Sequence, residues 1–410
     1  MRGTASLCVL LGRTLFNFGA TTQRIQDSIE HLAQHLGCKV DMLLSYDALL
    51  ITVDDGETLW TRIDSSHRFA GLNLVGLVRV SQWLRTLPDS PPNPAKLDRE
   101  LTAIRDQAPT HGIMPLAFAA ACAGAAFCIV NLGDPSSWIC SAAGSALIFA
   151  VRRKLLAYKF NIFVAIFTSA LAGSVVSGLL GLLLKTGSPV VTLIAPLLFM
   201  VPGVPLITGG IDIIRNHVTI GVARIGYALA VLVALCLGVG LTLPILRLHR
   251  GPPFMLPPAE QICLLSAAGA LGSGALACLN NGGPSVIALC ALGGLIARLI
   301  RAIATVNGVD VITASLIGVI CSTLVVGFIA GRLRWPAIIA TVMAALPMIP
   351  GYFAIDGLHS TLLFATGSAP DQAQLITGFQ SLWRALFISV ALVVGVIGPM
   401  AALQRNKEII

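Results

Sequence analysis

The sequence has 410 residues, of which 56% are hydrophobic and only 11% charged, against about 25% charged in ordinary soluble domains. Residues 1–112 hold 11 Lys/Arg and 12 Asp/Glu, so the net +8 of the chain belongs to the apolar remainder. There, loop Lys and Arg orient helices in a bilayer, and a nucleic-acid partner is excluded as the reading because it needs clustered basic side chains on a folded face.

Residues 1–112 read as an N-terminal soluble α/β domain. The apolar run Leu7 to Leu11 is too short for a leader, is followed by Arg13 and lacks a small-residue cleavage site. Ile25, Ile29, Leu32 and Leu36 recur at helical spacing after Thr21 and Thr22 and stop at Gly37. Lys39 to Leu44, Ala48 to Val53 and Thr58 to Ile63 are short β-prone runs, punctuated by Asp47 and by Asp54-Asp55-Gly56. Helices are expected over about Leu72 to Leu84 and, beyond the prolines between Pro88 and Pro94, from Ala95 to about Asp106.

From residue 113 the texture is that of an all-α polytopic membrane bundle of about ten transmembrane helices, each needing about 20 apolar residues. Expected spans are 113–132, 135–151, 160–184, 189–213 and 219–246 in one repeat (113–250), then 259–279, 285–305, 311–331, 335–355 and 379–403 in a second (251–410). Small residues four apart (Ser174 and Gly178, Gly269 and Ser273, Gly327 and Gly331) suit close helix packing. The ten cysteines are scattered with no CxxC pair, so neither a disulfide framework, a metal site nor a bound cofactor is expected.

The repeat is legible in short matches. Asn131-Leu-Gly133-Asp-Pro135-Ser136 recurs as Asn280-Asn-Gly282-Gly-Pro284-Ser285 at an offset of 149, with Arg152 opposite Arg301 and Asn161 opposite Asp310. Met200-Val-Pro202-Gly203 recurs as Met348-Ile-Pro350-Gly351 at an offset of 148. Five spans is an odd number, so the second copy would be inserted upside down, a plan common among secondary transporters. With a cytosolic N-terminal domain, inside loops carry Arg152, Arg153, Lys154, Lys159, Arg215, Arg332, Arg334, Arg405 and Lys407. Outer ends carry Lys185, Arg247, Arg250, Arg298, Arg301 and Arg384. That bias favours cytosolic termini in the inner membrane, with the Arg247–Arg250 cluster dissenting.

Pro202-Gly203-Val204-Pro205 lies in mid-span. Two prolines remove two backbone donors and disfavour helix before each, so the span is expected to break or unwind there, and again at Pro347 and Pro350-Gly351, with a mere kink as the alternative. Unwound backbone at membrane depth is tolerated where it lines a cavity, and its free carbonyls and half-helix ends hold ions or carboxylates. Thr208 and Asp212 follow on the next half-helix. Asp212, Asp310 and Asp356 sit in or beside apolar segments, where a carboxylate is costly and faces a cavity or a partner; a position at the membrane edge is the structural alternative. Arg215, three residues after Asp212, is placed to pair with it. Arg224 is either a bidentate partner for a substrate carboxylate or a side chain snorkelling to the interface. His217 and His359 are expected at the interface. No phosphate loop, GxGxxG, HExxH or GxSxG is present, so an enzyme or ATP-driven pump is not the reading.

The whole chain resembles the threonine/serine exporter family, including its two-subunit relatives, one of them implicated in succinate export. The resemblance rests on Gly19-Ala20-Thr21-Thr22-Gln23-Arg24 with Ile25…Leu36-Gly37, on Pro202-Gly203-Val204-Pro205…Asp212, and on Pro350-Gly351. It implies export of a small polar metabolite driven by the proton gradient, with protons, membrane lipids and the small-molecule substrate as partners. A zwitterionic amino acid needs an anion and a cation in its site, which Asp212, Asp310 and Asp356 leave possible. A dicarboxylate needs two positive ends, which Arg224, Arg301 and Arg384 leave possible. A passive channel is one alternative; another is a membrane enzyme using Ser45, Asp47, Asp54, Asp55, Ser66 and His67. A homo-oligomer is compatible with the sequence and not specified by it.

Overall fold

The computed structural model describes residues 2–65, 71–88, 93–107, 109–246, 251–365 and 372–405. Ser66, His67, Arg247, Arg250, Asp371, Lys407 and Glu408 lie outside the described residues.

The N-terminal part is built as α1 (Arg2–Asn17), α2 (Thr22–His35), β1 (Lys39–Leu44), β2 (Leu49–Asp54), β3 (Leu59–Asp64), α3 (Leu74–Arg85) and α4 (Pro94–Arg105). Its three strands form an antiparallel sheet in the order β1-β2-β3, with Leu44 opposite Leu49 and Asp54 opposite Leu59. The sheet's alternation is plainest in central β2, where Leu49, Ile51 and Val53 are buried. The sequence alone predicts no helix α1, since Leu7–Leu11 stands out there only as a run too short for a leader. Leu7, Leu11 and Leu15 recur every four residues and are buried against α2 and β2, so the run is a core helix. Gly37 ends α2 with φ +70°, and Gly56, at φ +88°, makes the β2–β3 turn. In that turn the amides of Thr58 and Glu57 hold the Asp55 carboxyl below its usual range.

The apolar part comprises α5 (Ile113–Val130), α6 (Pro135–Ala157), α7 (Ile162–Leu183), α8 (Pro189–Ile194) continued by a 3-10 turn to Met200, α9 (Gly203–Ile214) and α10 (Val218–Leu246). Then follow α11 (Pro258–Leu279), α12 (Pro284–Val306), α13 (Val311–Arg332), α14 (Ala337–Ala345) with a 3-10 turn to Met348, α15 (Gly351–Ala365) and α16 (Gln372–Arg405). Among the described residues, seven helices are long and apolar enough to cross a membrane, or up to nine if each of two bent pairs is one span. The expected count of ten is not reached. Helix α6 is the shortfall, because serines interrupt its first half and Arg152-Arg153-Lys154 lie near its end.

The internal periodicity extends to backbone geometry. Helices α6 and α12, and α7 and α13, start and stop at an offset of 149. Left-handed residues closing the helices recur at the same offset: Leu132 and Asn281, Lys159 and Gly308, Lys185 and Arg334. Both proline-glycine segments break their spans as the sequence predicts, bending Pro189–Met200 against Gly203–Ile214 by 58° and Ala340–Met348 against Gly351–Thr361 by 49°. Small residues let the helices touch: Ser174 and Thr242 hydroxyls are 2.8 Å apart across α7 and α10, and Gly269 of α11 lies against the Gly294 carbonyl of α12.

The chain enters α5 beside the α11–α12 turn. The Thr110 amide donates to Asn281 Oδ1 at 2.7 Å, and His111 Nε2 lies 2.7 Å from the Gly282 carbonyl. The Leu74 and Val75 amides donate to the carbonyls of Asn280 and Asn281. The start of α5 and the end of α11 therefore share one face of the bundle, the face that carries the N-terminal sheet and helices.

Candidate functional site

The two breaks cross at the centre of the bundle. A Cβ on Gly203 would come within 2.0 Å of Ile349 Cδ1, and one on Gly351 within 3.0 Å of Val201 Cγ2. Each glycine thus accepts the residue that precedes the other break's proline. Around this crossing is a cavity of about 160 Å³, here cavity A, which includes Pro202, Gly203, Pro205 and Gly351 in its lining. Its polar lining residues are Arg152 of α6, Tyr227 of α10 and Asn280 at the end of α11; none is acidic among the described residues. Arg152 Nε is buried with no hydrogen-bond partner among the described residues. Gly71 and Leu72, just before α3, close the cavity on the face of the N-terminal elements.

Asp212 does not line this cavity. It is fully buried at the far end of α9, with Oδ2 3.3 Å from Arg224 Nη1 of α10 and Oδ1 accepting the Thr22 amide at 3.1 Å. Arg224 in turn donates to the Ala20 carbonyl at 2.8 Å and stands over the Phe16 ring. It is therefore neither snorkelling nor in the cavity; it is buried in an ion pair. Among the described residues the ion-pair partner of Asp212 is Arg224 and not the expected Arg215, which is the residue that ends α9. Gly19, at φ +83°, turns the chain so that Ala20 and Thr22 present their backbone to this pair. The carboxylate also lies at the positive end of α2, a favourable position for an anion. Gln23 Oε1 lies 3.5 Å from His217 Nε2, and Arg24 donates to Ser81 of α3 at 2.8 Å. Burial there lowers the Arg24 pKa.

The remaining candidates scatter. Asn161 and Asp310, repeat partners in sequence, are equivalent helix caps. Asn161 Oδ1 accepts the Phe163 amide, and Asp310 Oδ1 accepts the amides of Ile312 and Thr313. Both are exposed. Hydrogen bonds from Thr313, with the Ile312 amide, hold the Asp310 carboxyl below its usual range. Asp356 is buried on α15 and accepts the Ser381 hydroxyl of α16 at 3.0 Å. Thr208 bonds the Val204 carbonyl and, with Gly19, Ala20 and Thr21, lines a small gap between α9 and the N-terminal elements. Pro350 lines a second cavity, B, of about 290 Å³, with Arg298 and Arg301. In the sequence, Arg152 and Arg298 are distinguished only as helix-end charges, Arg152 with Arg301 as its repeat partner, whereas Arg301 is already a candidate positive end for a dicarboxylate; the 149-residue offset is the signal that pairs Arg152 with Arg301.

A family model described as a threonine/serine exporter matches residues 6–246, and a second threonine/serine exporter model matches residues 263–402. The chain belongs to the threonine/serine exporter family. Two curated relatives carry the same printed name, "Probable succinate transporter subunit YjjP". One is from Escherichia coli strain K12, 25% identical over 60% of this chain and 95% of its own length. The other is from Klebsiella aerogenes, 24% identical over 58% of this chain and 92% of its own. No solved structure matches the chain. Several apolar helices together with exporter-family membership make it a multi-pass membrane transporter.

Proposed function

We propose that this protein is a secondary exporter of a small carboxylate-bearing metabolite, of the threonine/serine or dicarboxylate kind, driven by the proton gradient across the inner membrane. The observation that carries the reading is cavity A, where the crossed breaks bring unwound backbone together with the Arg152 guanidinium. A guanidinium is suited to bidentate recognition of a carboxylate, and half-helix ends at a break are suited to charged groups. An arginine with no acid among the described lining residues favours a dicarboxylate over a zwitterion, as does the printed name of the two relatives.

In this reading residues 1–112 are a cytosolic domain, with 113–250 and 251–410 as two repeats of opposite orientation and both termini cytosolic. The contacts of Thr110 and His111 with the α11–α12 turn support opposed insertion, because α5 begins where α11 ends. The proton acts at Asp212, whose charged and titratable neighbours are Arg224 and His217. Neutralising it loosens the grip of Arg224 and Asp212 on Ala20 and Thr22, and so the docking of the cytosolic domain. The test is uptake of labelled succinate, threonine and serine into proteoliposomes with an imposed pH gradient. Gradient-dependent accumulation of one class is expected; flux of all three that ignores the gradient contradicts the reading and indicates a passive pathway.

A further inference from the structure

Cavity B lies at the opposite end of the bundle from the N-terminal elements, against the last turn of α5. That helix has 18 residues, so its two ends are about 27 Å apart at 1.5 Å per residue. The cavity is bounded by Asn131 and Leu132, by the Pro347–Pro350 break and by Arg298 and Arg301, one turn apart on α12. Arg298 is 7% exposed. Its Nη2 donates to the Pro347 carbonyl, while its Nε has no hydrogen-bond partner among the described residues. Its stem crosses α11 at Gly269, where a Cβ would come within 2.5 Å of Arg298 Cγ. Arg301 Nη1 lies 3.8 Å from the Met348 sulfur. No Asp or Glu is among the described lining residues.

Two like charges on one helix face repel, and a buried guanidinium is costly without an anion beside it. Among the described lining residues nothing supplies a counter-charge to the buried Arg298 or the half-buried Arg301, and two carboxylates would supply it. A zwitterion would answer one arginine and set its ammonium against the other.

The placement is also a repeat of cavity A. Phe127, Asn131, Arg301, Met348 and Pro350 around cavity B stand at the sequence offset from Leu276, Asn280, Arg152, Met200 and Pro202 around cavity A. We propose that Arg298 and Arg301 form a dicarboxylate-binding site in cavity B, on the face away from the N-terminal domain, and that it is the counterpart of the Arg152 site. It rests on the transport reading for its purpose, not for its chemistry.

The test is local labelling of the full chain in neutral detergent, which removes lipid phosphate. Leu132→Cys is placed at the cavity wall with the exposed Cys263 changed to Ser, and the rate of maleimide reaction is followed with succinate, threonine or inorganic phosphate. Succinate is expected to slow labelling. Arg301→Gln should raise the succinate concentration needed by about tenfold or more, the size of one lost charge-assisted contact, with Arg301→Lys restoring part of it. Arg152→Gln should leave this protection in place. Protection by phosphate as strong as by succinate would overturn the dicarboxylate assignment in favour of a simple phosphate or lipid-headgroup site. So would equal protection by threonine, or protection unchanged in Arg301→Gln. Succinate flux without protection would remove the site and leave the transport reading standing; protection without flux would do the reverse.

Discussion

The carboxylate of Asp212 accepts a hydrogen bond from the backbone amide of Thr22, 190 residues away in sequence. Asp212 ends the broken-helix motif and Thr22 belongs to the Gly19–Arg24 motif, so two segments that look independent in the sequence are the two halves of one joint. With Arg224 bridging to Ala20, the joint ties α9, whose other end forms the break, to the N-terminal helices.

Asp212→Asn keeps an oxygen for the Thr22 amide but leaves Arg224 buried without its counter-charge. Removing one member of a buried pair costs about 3–5 kcal/mol. The expected result is loss of proton-driven flux together with faster amide exchange in α2, while insertion is retained. Normal flux with unchanged exchange would remove Asp212 from both roles.

At the crossing of the breaks, Gly203→Ala forces its methyl into Ile349 and, at 2.9 Å, Leu346. Overpacking of this kind costs about 1–3 kcal/mol. A lowered melting temperature in detergent and lost flux are expected. Ile349→Ala in the same chain should recover part of both, because it removes the atom that is struck.

Asp310 caps α13 from an exposed position. Its folded-state pKa is depressed, so the stabilisation is present above the unfolded value, about 3.9, and fades as pH falls through the lower folded value. The protection of the Ile312 and Thr313 amides, taken relative to free-amide exchange at each pH, should therefore fall only in strong acid. In Asp310→Asn, which caps without a charge, that acid dependence should vanish and neutral-pH flux should persist. Loss of flux in this variant would return Asp310 to the transport pathway.

Much of the fold was legible because its signals are local. Strands β1 to β3 follow β-prone runs cut by Asp and Gly, and both breaks follow from prolines that withhold backbone donors. Helix α1 was missed because Leu7, Leu11 and Leu15 become a core stripe only once β2 is there to cover them. The site was less legible. Asp212 and Arg224 are 12 residues apart across a helix turn, so nearby Arg215 was the better partner by spacing alone. Asn161 is a candidate only as the repeat partner of Asp310, and Asp310 as a carboxylate beside an apolar span; both are helix caps. Arg301 is a substrate candidate in the sequence, but Arg152 and Arg298 read only as helix-end charges, and only folding shows that the breaks of α8–α9 and α14–α15 turn cavities toward all three.

The most direct test of the account is proton-driven uptake of labelled succinate by wild type and by Arg152→Gln in proteoliposomes. In wild type, accumulation should collapse with the pH gradient, and in Arg152→Gln it should be lost with the melting temperature preserved. Gradient-driven uptake undiminished in Arg152→Gln would show that the substrate does not pass through the cavity at the crossed breaks.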